Sequence, residues 1–175
     1  IIQRGSGWGA LERRRRNKNK EKPFCSESMV FDDKSLTEEE RPWIELLEKG
    51  SISYSSPTEE PTSYMTQYQW QEMLEKAVNQ PANDHWLSWL HLGIMYYTSN
   101  DFEKAEEAWE ISIRRSPSPW AYYNLAFLAK KNKDMDRLIS FLHKAWSISP
   151  QTFGLTVEYC KALINSGNYR TALDF

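Results

Sequence analysis

An internal repeat constrains the fold of this chain more than any other feature of its sequence. The stretch WLSWLHLGIMYYTSNDFEKAEEAW at residues 86–109 is matched by YYNLAFLAKKNKDMDRLISFL at an offset of 33 residues, with large and small side chains in the same order. A gapless alignment pairs Trp89 with Tyr122, Leu92 with Leu125, Gly93 with Ala126, Trp109 with Leu142 and Pro117 with Pro150. A third unit begins near Phe153. A repeat of about this length predicts stacked helical hairpins.

The side-chain sizes within each unit indicate two antiparallel helices. Position eight is small in all three units, where Gly93, Ala126 and Cys160 allow the two helices to approach closely. Bulky side chains such as Trp89 and Tyr96 fill the space between helices. The triplets SND, NKD and SGN supply the turns, because Asn, Asp and Gly tolerate turn dihedrals. Since one hairpin cannot bury its apolar face alone, we expect an all-α solenoid of stacked units.

The residues of the first unit also resemble a known family. Trp89, Leu92, Gly93 and Tyr96, followed by Ala105 and Pro117, resemble the tetratricopeptide repeat. The resemblance places an array at 82–175, with units at about 86–118, 119–152 and a truncated 153–175. The second unit departs from the family pattern, with Ala126 for Gly, Ala129 for Tyr and Leu138 for Ala. The family implies a non-catalytic protein–protein or interdomain scaffold that needs no cofactor and binds a protein, a peptide or its own upstream domain in a concave groove.

The first half of the chain carries a second, less specific resemblance. The segments GSGWGALERRR and PWIELLEKG are similar to a bacterial family of long proteins. In that family such a segment joins a large β-rich N-terminal region to a tetratricopeptide array. The function of the β-rich region is open, and a carbohydrate-related function is one candidate. The chain begins without Met and ends within a helical pattern, so we expect it to be a piece of such a protein.

The residues before the array divide into two parts. Residues 1–34 predict a basic, largely irregular arm, in which only one short helix, from Ala10 to about Arg16, is indicated. Residues 35–81 predict a lead-in with helices at about 36–49 and 64–79, joined by the Ser- and Pro-rich loop SISYSSPTEEPTS. The first of these helices has two alternative capping boxes, Ser35 with Glu38 or Thr37 with Glu40.

Charge is distributed unevenly along the chain. Residues 1–22 contain eight Lys/Arg and two Glu, whereas the whole chain has 22 Lys/Arg and 24 Asp/Glu. The basic arm therefore precedes an acidic body. Electrostatic docking of the arm on the body, or a solvated linker, explains this pattern, and nucleic-acid binding through Arg13–Arg16 is the alternative. We favour the first explanation, because nucleic-acid sites usually add basic residues elsewhere on the fold.

Stacking of the first helices predicts a concave, apolar and aromatic groove with a rim of lysines. The family pattern assigns to it Leu87, Leu90, Ile94, Tyr97, Trp120, Tyr123, Phe127, Lys130, Lys131, Val157 and Lys161. An exposed apolar face of this size calls for an occupant. One occupant is a partner peptide, whose acidic side chains or terminal carboxylate meet the lysines. The other is the chain's own N-terminal half, which we favour because its large aromatic residues need burial: Trp8, Phe24, Phe31, Trp43 and Trp70.

No pattern in the sequence indicates a catalytic or metal site. GSGWG lacks the Lys-Ser/Thr of a phosphate loop, and His85, His91 and His143 lack the spacing of a metal site. We therefore predict a scaffold without enzymatic activity, cofactor or metal. The alternative is an accessory part of a carbohydrate-active enzyme whose catalytic domain lies upstream, with Trp120 as the best candidate for sugar stacking.

Location is predicted only from absences. The sequence has no run of about 18 apolar residues, so we expect no membrane span. Cys25 and Cys160 are far apart and predict no disulfide, which is compatible with a reducing, cytoplasmic compartment. The oligomeric state is open.

Overall fold

The structure is a computed structural model that describes residues 8–23 and 32–173, and its regular structure within these ranges is entirely helical. In chain order the α-helices are α1 Trp8–Lys18, α2 Arg41–Lys49, α3 Tyr68–Ala77, α4 Trp86–Thr98, α5 Phe102–Arg115, α6 Pro119–Lys131, α7 Met135–Ile148, α8 Phe153–Asn165 and α9 Tyr169–Leu173. Short 3-10 turns lie at Asp33–Ser35, Glu38–Glu40 and Pro81–Asn83. Every helix in the described part of the chain is too short or too polar to cross a lipid bilayer.

Helices α4 to α8 form the stacked array that the repeat predicts. Helix α4 packs with α5 and α6 packs with α7, while α5–α6 and α7–α8 contacts join successive units. The all-α solenoid predicted from the sequence is therefore confirmed.

The turns within the units repeat in conformation as well as in sequence. Asn100, Lys133 and Gly167 occupy equivalent positions and have positive φ values of 65°, 58° and 80°. Two helices then begin at equivalent aspartates, because the side chains of Asp101 and Asp134 each accept a hydrogen bond from a backbone N–H three residues later. Such caps satisfy backbone donors that have no partner within the helix. The turn chemistry therefore sets the length of each first helix.

Gly93 allows the closest approach within the first unit. The Trp109 indole of α5 lies against the Gly93 backbone of α4, and an added Cβ would lie 2.9 Å from Trp109 Cε2 and closer still to two other ring atoms. Trp109 Nε1 donates to the Leu90 carbonyl at 3.2 Å, and Ser112 Oγ donates to the Trp86 carbonyl at 2.7 Å. These hydrogen bonds join side chains of α5 to backbone carbonyls of α4, so directional bonds as well as apolar burial hold the pair together.

The apolar core consists of two clusters. The larger one joins α2 and α3 to the first unit, with Trp43, Trp70, Trp86 and Leu90 fully buried in it. The smaller one lies between α6, α7 and α8. The N-terminal segment is therefore packed on the solenoid, and α2 and α3 share a core with α4.

Both lead-in helices begin later than the sequence predicts. Helix α2 starts at Arg41 instead of about residue 36, because Thr37 and Glu40 form their capping box around a 3-10 turn and Pro42 fits only the first turn of the helix. Helix α3 spans Tyr68–Ala77 instead of 64–79, since Gln67 is extended (φ −77°, ψ 139°). The residues before it bind to α2 and do not extend the helix.

The arm also contains more helix than predicted. Helix α1 extends over Trp8–Lys18, with Arg15 and Arg16 held by Glu12 one turn earlier. Such i,i+3 and i,i+4 ion pairs stabilise a helix surface. Helix α1 packs on α2, where Lys18 Nζ donates to the Leu47 carbonyl. The aromatic residues Phe24 and Phe31, and Cys25, lie outside the described residues.

Candidate partner-binding groove

The unit-one part of the predicted groove is buried. Leu87, Leu90 and Ile94 are at most 5% exposed, and Tyr97 is half-buried. Leu87 lies beside a cavity of about 480 Å³ whose other walls come from α2 and from the segment between α2 and α3. We name residues 51–65 of that segment the strap. The strap therefore lies beside Leu87 on this face.

Side chains of the first unit hold the strap by its backbone. Trp86 Nε1 donates to the Ser55 carbonyl at 2.8 Å, and His85 Nε2 lies 2.9 Å from the Ile52 carbonyl oxygen. The Asn83 amide donates to the Gly50 carbonyl and accepts from the Ile52 N–H, at 3.1 and 3.0 Å. Asn83 is fully buried, so these bonds replace water for backbone groups that would otherwise be unpaired.

The strap also contacts α2 and the second unit. Trp43 Nε1 donates to the Ser63 carbonyl at 2.9 Å, and Ser63 Oγ donates to the Glu39 carbonyl at 2.9 Å. Further along the array, Trp120 Nε1 donates to the Glu59 carbonyl at 2.9 Å. The strap therefore extends from the first unit to the start of α6.

The second part of the predicted groove surrounds an open cavity of about 310 Å³ between α6, α7 and α8. Four residues that the sequence analysis assigned to the concave face line it: Tyr123, Phe127, Lys130 and Lys161. Phe127 is 44% exposed, unlike its buried counterpart Ile94 in the first unit. The floor is apolar and is formed by Ala126, Leu138, Leu142 and Ala162. We name this space the α6–α8 cavity.

One carboxylate bridges two lysines at the mouth of the α6–α8 cavity. Glu158 Oε1 lies 2.9 Å from Lys161 Nζ, and Glu158 Oε2 lies 3.6 Å from Lys130 Nζ. The hydrogen bond from Lys161 and the charges of both lysines lower the pKa of Glu158. Burial, together with the Glu158 charge, raises the pKa of Tyr123. Glu158 is therefore ionised near neutral pH and lies between the two lysines.

Three predicted groove residues, Lys131, Tyr97 and Val157, do not line the α6–α8 cavity. Lys131 Nζ is 3.2 Å from the centre of the Phe102 ring, and Tyr97 packs edge-on against Phe102 and Phe127, at 5.3 and 5.8 Å between ring centroids. The three aromatic rings form a cluster between the first two units, and Lys131 lies over one of them. Lys131 does not line the α6–α8 cavity and instead makes a cation–π contact. Val157 is half-buried on α8.

Comparison with known proteins agrees with the all-helical fold. No family model matches the chain, and no curated protein matches it. Among solved structures, MamA AMB-1, a tetratricopeptide-repeat protein, is similar to this chain at 25% sequence identity with a TM-score of 0.51. The fold is a tetratricopeptide-type α-solenoid. The match covers 61% of this chain and spans 58% of the MamA chain.

Other parts of the sequence interpretation are not reached by these comparisons. The bacterial family with an upstream β-rich region stays a prediction. Within residues 8–23 and 32–173, no group of three or more His, Cys, Asp or Glu side chains is placed to hold a metal ion. His85 and His91 instead belong to the interface between the tetratricopeptide-type array and the strap, where Tyr54 and Tyr64 contact their rings.

His91 has the most unusual environment of the described titratable groups. Its ring is fully buried against Trp43 and Tyr64, at 4.9 and 5.7 Å between ring centroids, and neither ring nitrogen has a hydrogen-bond partner among residues 8–23 and 32–173. Burial, and to a smaller extent the nearby His85, lowers the pKa of His91 to about 3. Burial also lowers the pKa of His85. Both histidines are therefore neutral in the folded chain at physiological pH.

The four consecutive arginines of α1 bind acidic side chains of the same chain. Arg13 and Arg14 pair with Asp33 at 2.5 and 3.0 Å, and Arg15 and Arg16 pair with Glu12 at 2.8 and 2.7 Å. Arg15 is buried, and the hydrogen bond from Arg15 is the main cause that lowers the pKa of Glu12. These guanidinium groups are engaged within the chain.

Sequence reasoning missed the residue that organises the cavity mouth. Glu158 was not assigned to the groove, because the family pattern selects residues at fixed positions in each first helix and Glu158 follows the selected Val157. A usable signal was present, since Glu158 precedes Lys161 by three residues and such pairs face each other on a helix. The cavity floor from α7 was missed for the same reason.

Proposed function

We propose that this chain is a non-catalytic scaffold that binds a protein partner on the open part of its concave face. In this proposal the N-terminal half covers the unit-one part of the face in cis, and the α6–α8 cavity receives the partner. The chain acts by holding a partner relative to the rest of its own protein and needs no metal or cofactor.

One observation carries the proposal: equivalent positions of the concave face differ in exposure. Ile94 is 5% exposed, whereas its counterpart Phe127 is 44% exposed beside an open cavity. A partner that covers a large aromatic side chain above an apolar floor removes apolar surface from water. This burial stabilises the complex by roughly 25 cal/mol per Å² of apolar surface. Contacts of the strap with Trp86 and Trp120 support the cis cover.

The alternative from the sequence is an accessory role in a carbohydrate-active enzyme. That role would use an exposed indole face, and Trp120 is the best candidate. Trp120 is half-buried, donates its N–H to Glu59 and packs against the larger core cluster. Its contacts support a part in holding the strap, and no contact of the described residues favours the sugar-binding alternative.

A peptide-display selection on the full chain tests partner binding. Selected peptides are resynthesised with a fluorophore, and their affinities are compared between the wild type, Phe127→Ala and Phe153→Ala. Phe153 is 80% exposed on α8 and does not line the cavity, so its variant is the matched control. We expect Phe127→Ala to weaken binding about tenfold or more, as for a central interface aromatic, and Phe153→Ala to leave it unchanged. Selection of no peptide, or peptides that bind Phe127→Ala normally, would refute the proposal.

The cis cover has its own test. Trp120→Phe keeps an aromatic ring and removes the N–H that donates to Glu59. Because a typical intramolecular hydrogen bond stabilises by about 1 kcal/mol, we expect amide exchange of residues 53–62 to accelerate about fivefold. Tyr122→Phe, on the same helix, should leave that exchange unchanged. Equal exchange in the wild type and Trp120→Phe would show that α6 does not hold the strap.

A further inference from the structure

The α6–α8 cavity has the size and lining of a pocket for one side chain. Its volume of about 310 Å³ is at the lower end of the roughly 300–1,000 Å³ of small-molecule pockets. Its floor consists of Ala126, Leu138, Leu142 and Ala162, and the ring of Phe127 forms one wall. An aliphatic or aromatic side chain inserted here would replace water over an apolar surface. The floor therefore selects an apolar anchor residue.

The mouth of the same cavity already holds a carboxylate between two lysines. Lys130 on α6 and Lys161 on α8 are 61% and 62% exposed, while Glu158 is 31% exposed. Each Glu158 oxygen faces a different lysine, so one carboxylate bridges the two helices. The lysines remain accessible from solvent on their outer sides. Their geometry is therefore suited to a second carboxylate, supplied by a molecule bound over the cavity.

We infer that the α6–α8 cavity binds a partner segment in which an apolar side chain is flanked by carboxylates, and that Glu158 is an internal competitor for the two lysines. The inference rests on the proposed scaffold function and adds the chemistry of the partner. The apolar side chain enters the cavity, and the partner carboxylates share or replace the contacts that Glu158 makes with Lys130 and Lys161. Glu158 thereby sets both the affinity and the charge selectivity of the site.

The competitor role makes a prediction that a purely structural role does not. Glu158→Gln keeps the size of the side chain and removes its charge, so both lysines become free to bind partner carboxylates. Each exposed ion pair contributes up to about 1 kcal/mol, and we therefore expect binding of an acidic segment to strengthen about threefold to tenfold. Binding of a neutral segment of the same shape should not change, because the apolar floor is untouched.

Two synthetic fluorescein-labelled peptides provide the test with the full chain. One is Gly-Ser-Asp-Leu-Asp-Ser-Gly, and the other replaces both Asp residues by Asn. Fluorescence polarisation at low and at physiological salt gives their affinities for the wild type, Glu158→Gln and the control Glu107→Gln. Glu107 is exposed on α5 and does not line the cavity. We expect the acidic peptide alone to gain affinity in Glu158→Gln, with a gain that shrinks as salt rises.

A second variant keeps the inference falsifiable if Glu158→Gln loses stability. Lys161→Met removes one cation and should weaken the acidic peptide about threefold or more, with the neutral peptide unaffected. The inference is wrong if neither variant changes the ratio of the two affinities, or if neither peptide binds the wild type. In those cases a positive display selection that depends on Phe127 would still support the scaffold function, so the two failures are distinguishable.

Discussion

Acidification should destabilise this fold through one buried histidine. His91 is enclosed by Trp43 and Tyr64, and neither ring nitrogen has a hydrogen-bond partner. Its pKa in the folded chain is lowered from 6.5 to about 3 by burial, with the nearby His85 as a smaller cause. The other titratable group against its ring is Tyr64, which is neutral in this range because burial raises its pKa. Among the described residues, no carboxylate acts on the His91 ring to stabilise a charged imidazolium.

The magnitude follows from the difference in proton binding between the two states. Below pH 6.5 the unfolded chain protonates His91, whereas the folded chain keeps it neutral until the pH approaches 3. Because the unfolded state binds more protons, the free energy of unfolding falls as pH falls. Integrated from pH 7.5 to pH 5.0, this one group lowers the free energy of unfolding by about 2 kcal/mol. His85, whose pKa is also lowered by burial, contributes in the same direction.

Urea denaturation followed by circular dichroism at pH 7.5 and pH 5.0 measures this loss. His91→Leu is similar in volume and cannot be protonated, so its loss on acidification should be about 2 kcal/mol smaller than that of the wild type. The control His143→Leu replaces an exposed histidine of α7, retains His91 and should keep the wild-type loss. Equal losses in the wild type and His91→Leu would refute the argument, as would a wild type whose stability does not change between the two pH values.

Two further perturbations test packing and buried charge. Gly93→Ala forces a Cβ into the Trp109 ring and should destabilise by about 1–3 kcal/mol, whereas Gly154→Ala, with open space around it, should be neutral or stabilising by up to about 1 kcal/mol in thermal melts. Equal effects of the two would contradict the close helix contact. Arg15→Met leaves the buried Glu12 with one partner fewer and should cost about 3 kcal/mol in urea denaturation, with recovery in the double variant that adds Glu12→Gln. A cost below about 1 kcal/mol would show that Arg15 is solvated.

The array could be predicted from the sequence because its determinants are local and repeated. Helix start, helix stop and close contact each depend on a few residues within one unit, such as Gly93 and the turn before Asp101. Those residues recur at a fixed interval, so each unit supports the assignment of the next. Tertiary packing then follows from stacking, since each hairpin must bury its face against a neighbour. The sequence accordingly predicts the all-helical solenoid that the structure shows.

The strap could not be predicted in the same way, because its contacts are neither local nor periodic. SISYSSPTEEPTS has the composition of a loop, and its apolar residues follow neither the two-residue period of a strand nor the 3.6-residue period of a helix. What holds it are backbone carbonyls that accept hydrogen bonds from Trp43, Trp86 and Trp120, at separations of 20, 31 and 61 residues. Backbone acceptors are present at every residue, so the sequence does not say which carbonyl each indole selects.

The limit of the strap along the array can nevertheless be argued from the repeat. At the second position of the three units lie Leu87, Trp120 and Gly154. Leu87 offers the strap an apolar surface, and Trp120 offers a hydrogen-bond donor that Glu59 accepts. Gly154 offers neither, and nothing lies within 4 Å of the position where its Cβ would be. A segment held by side chains at this position has no support beyond the second unit, which leaves the α6–α8 cavity open.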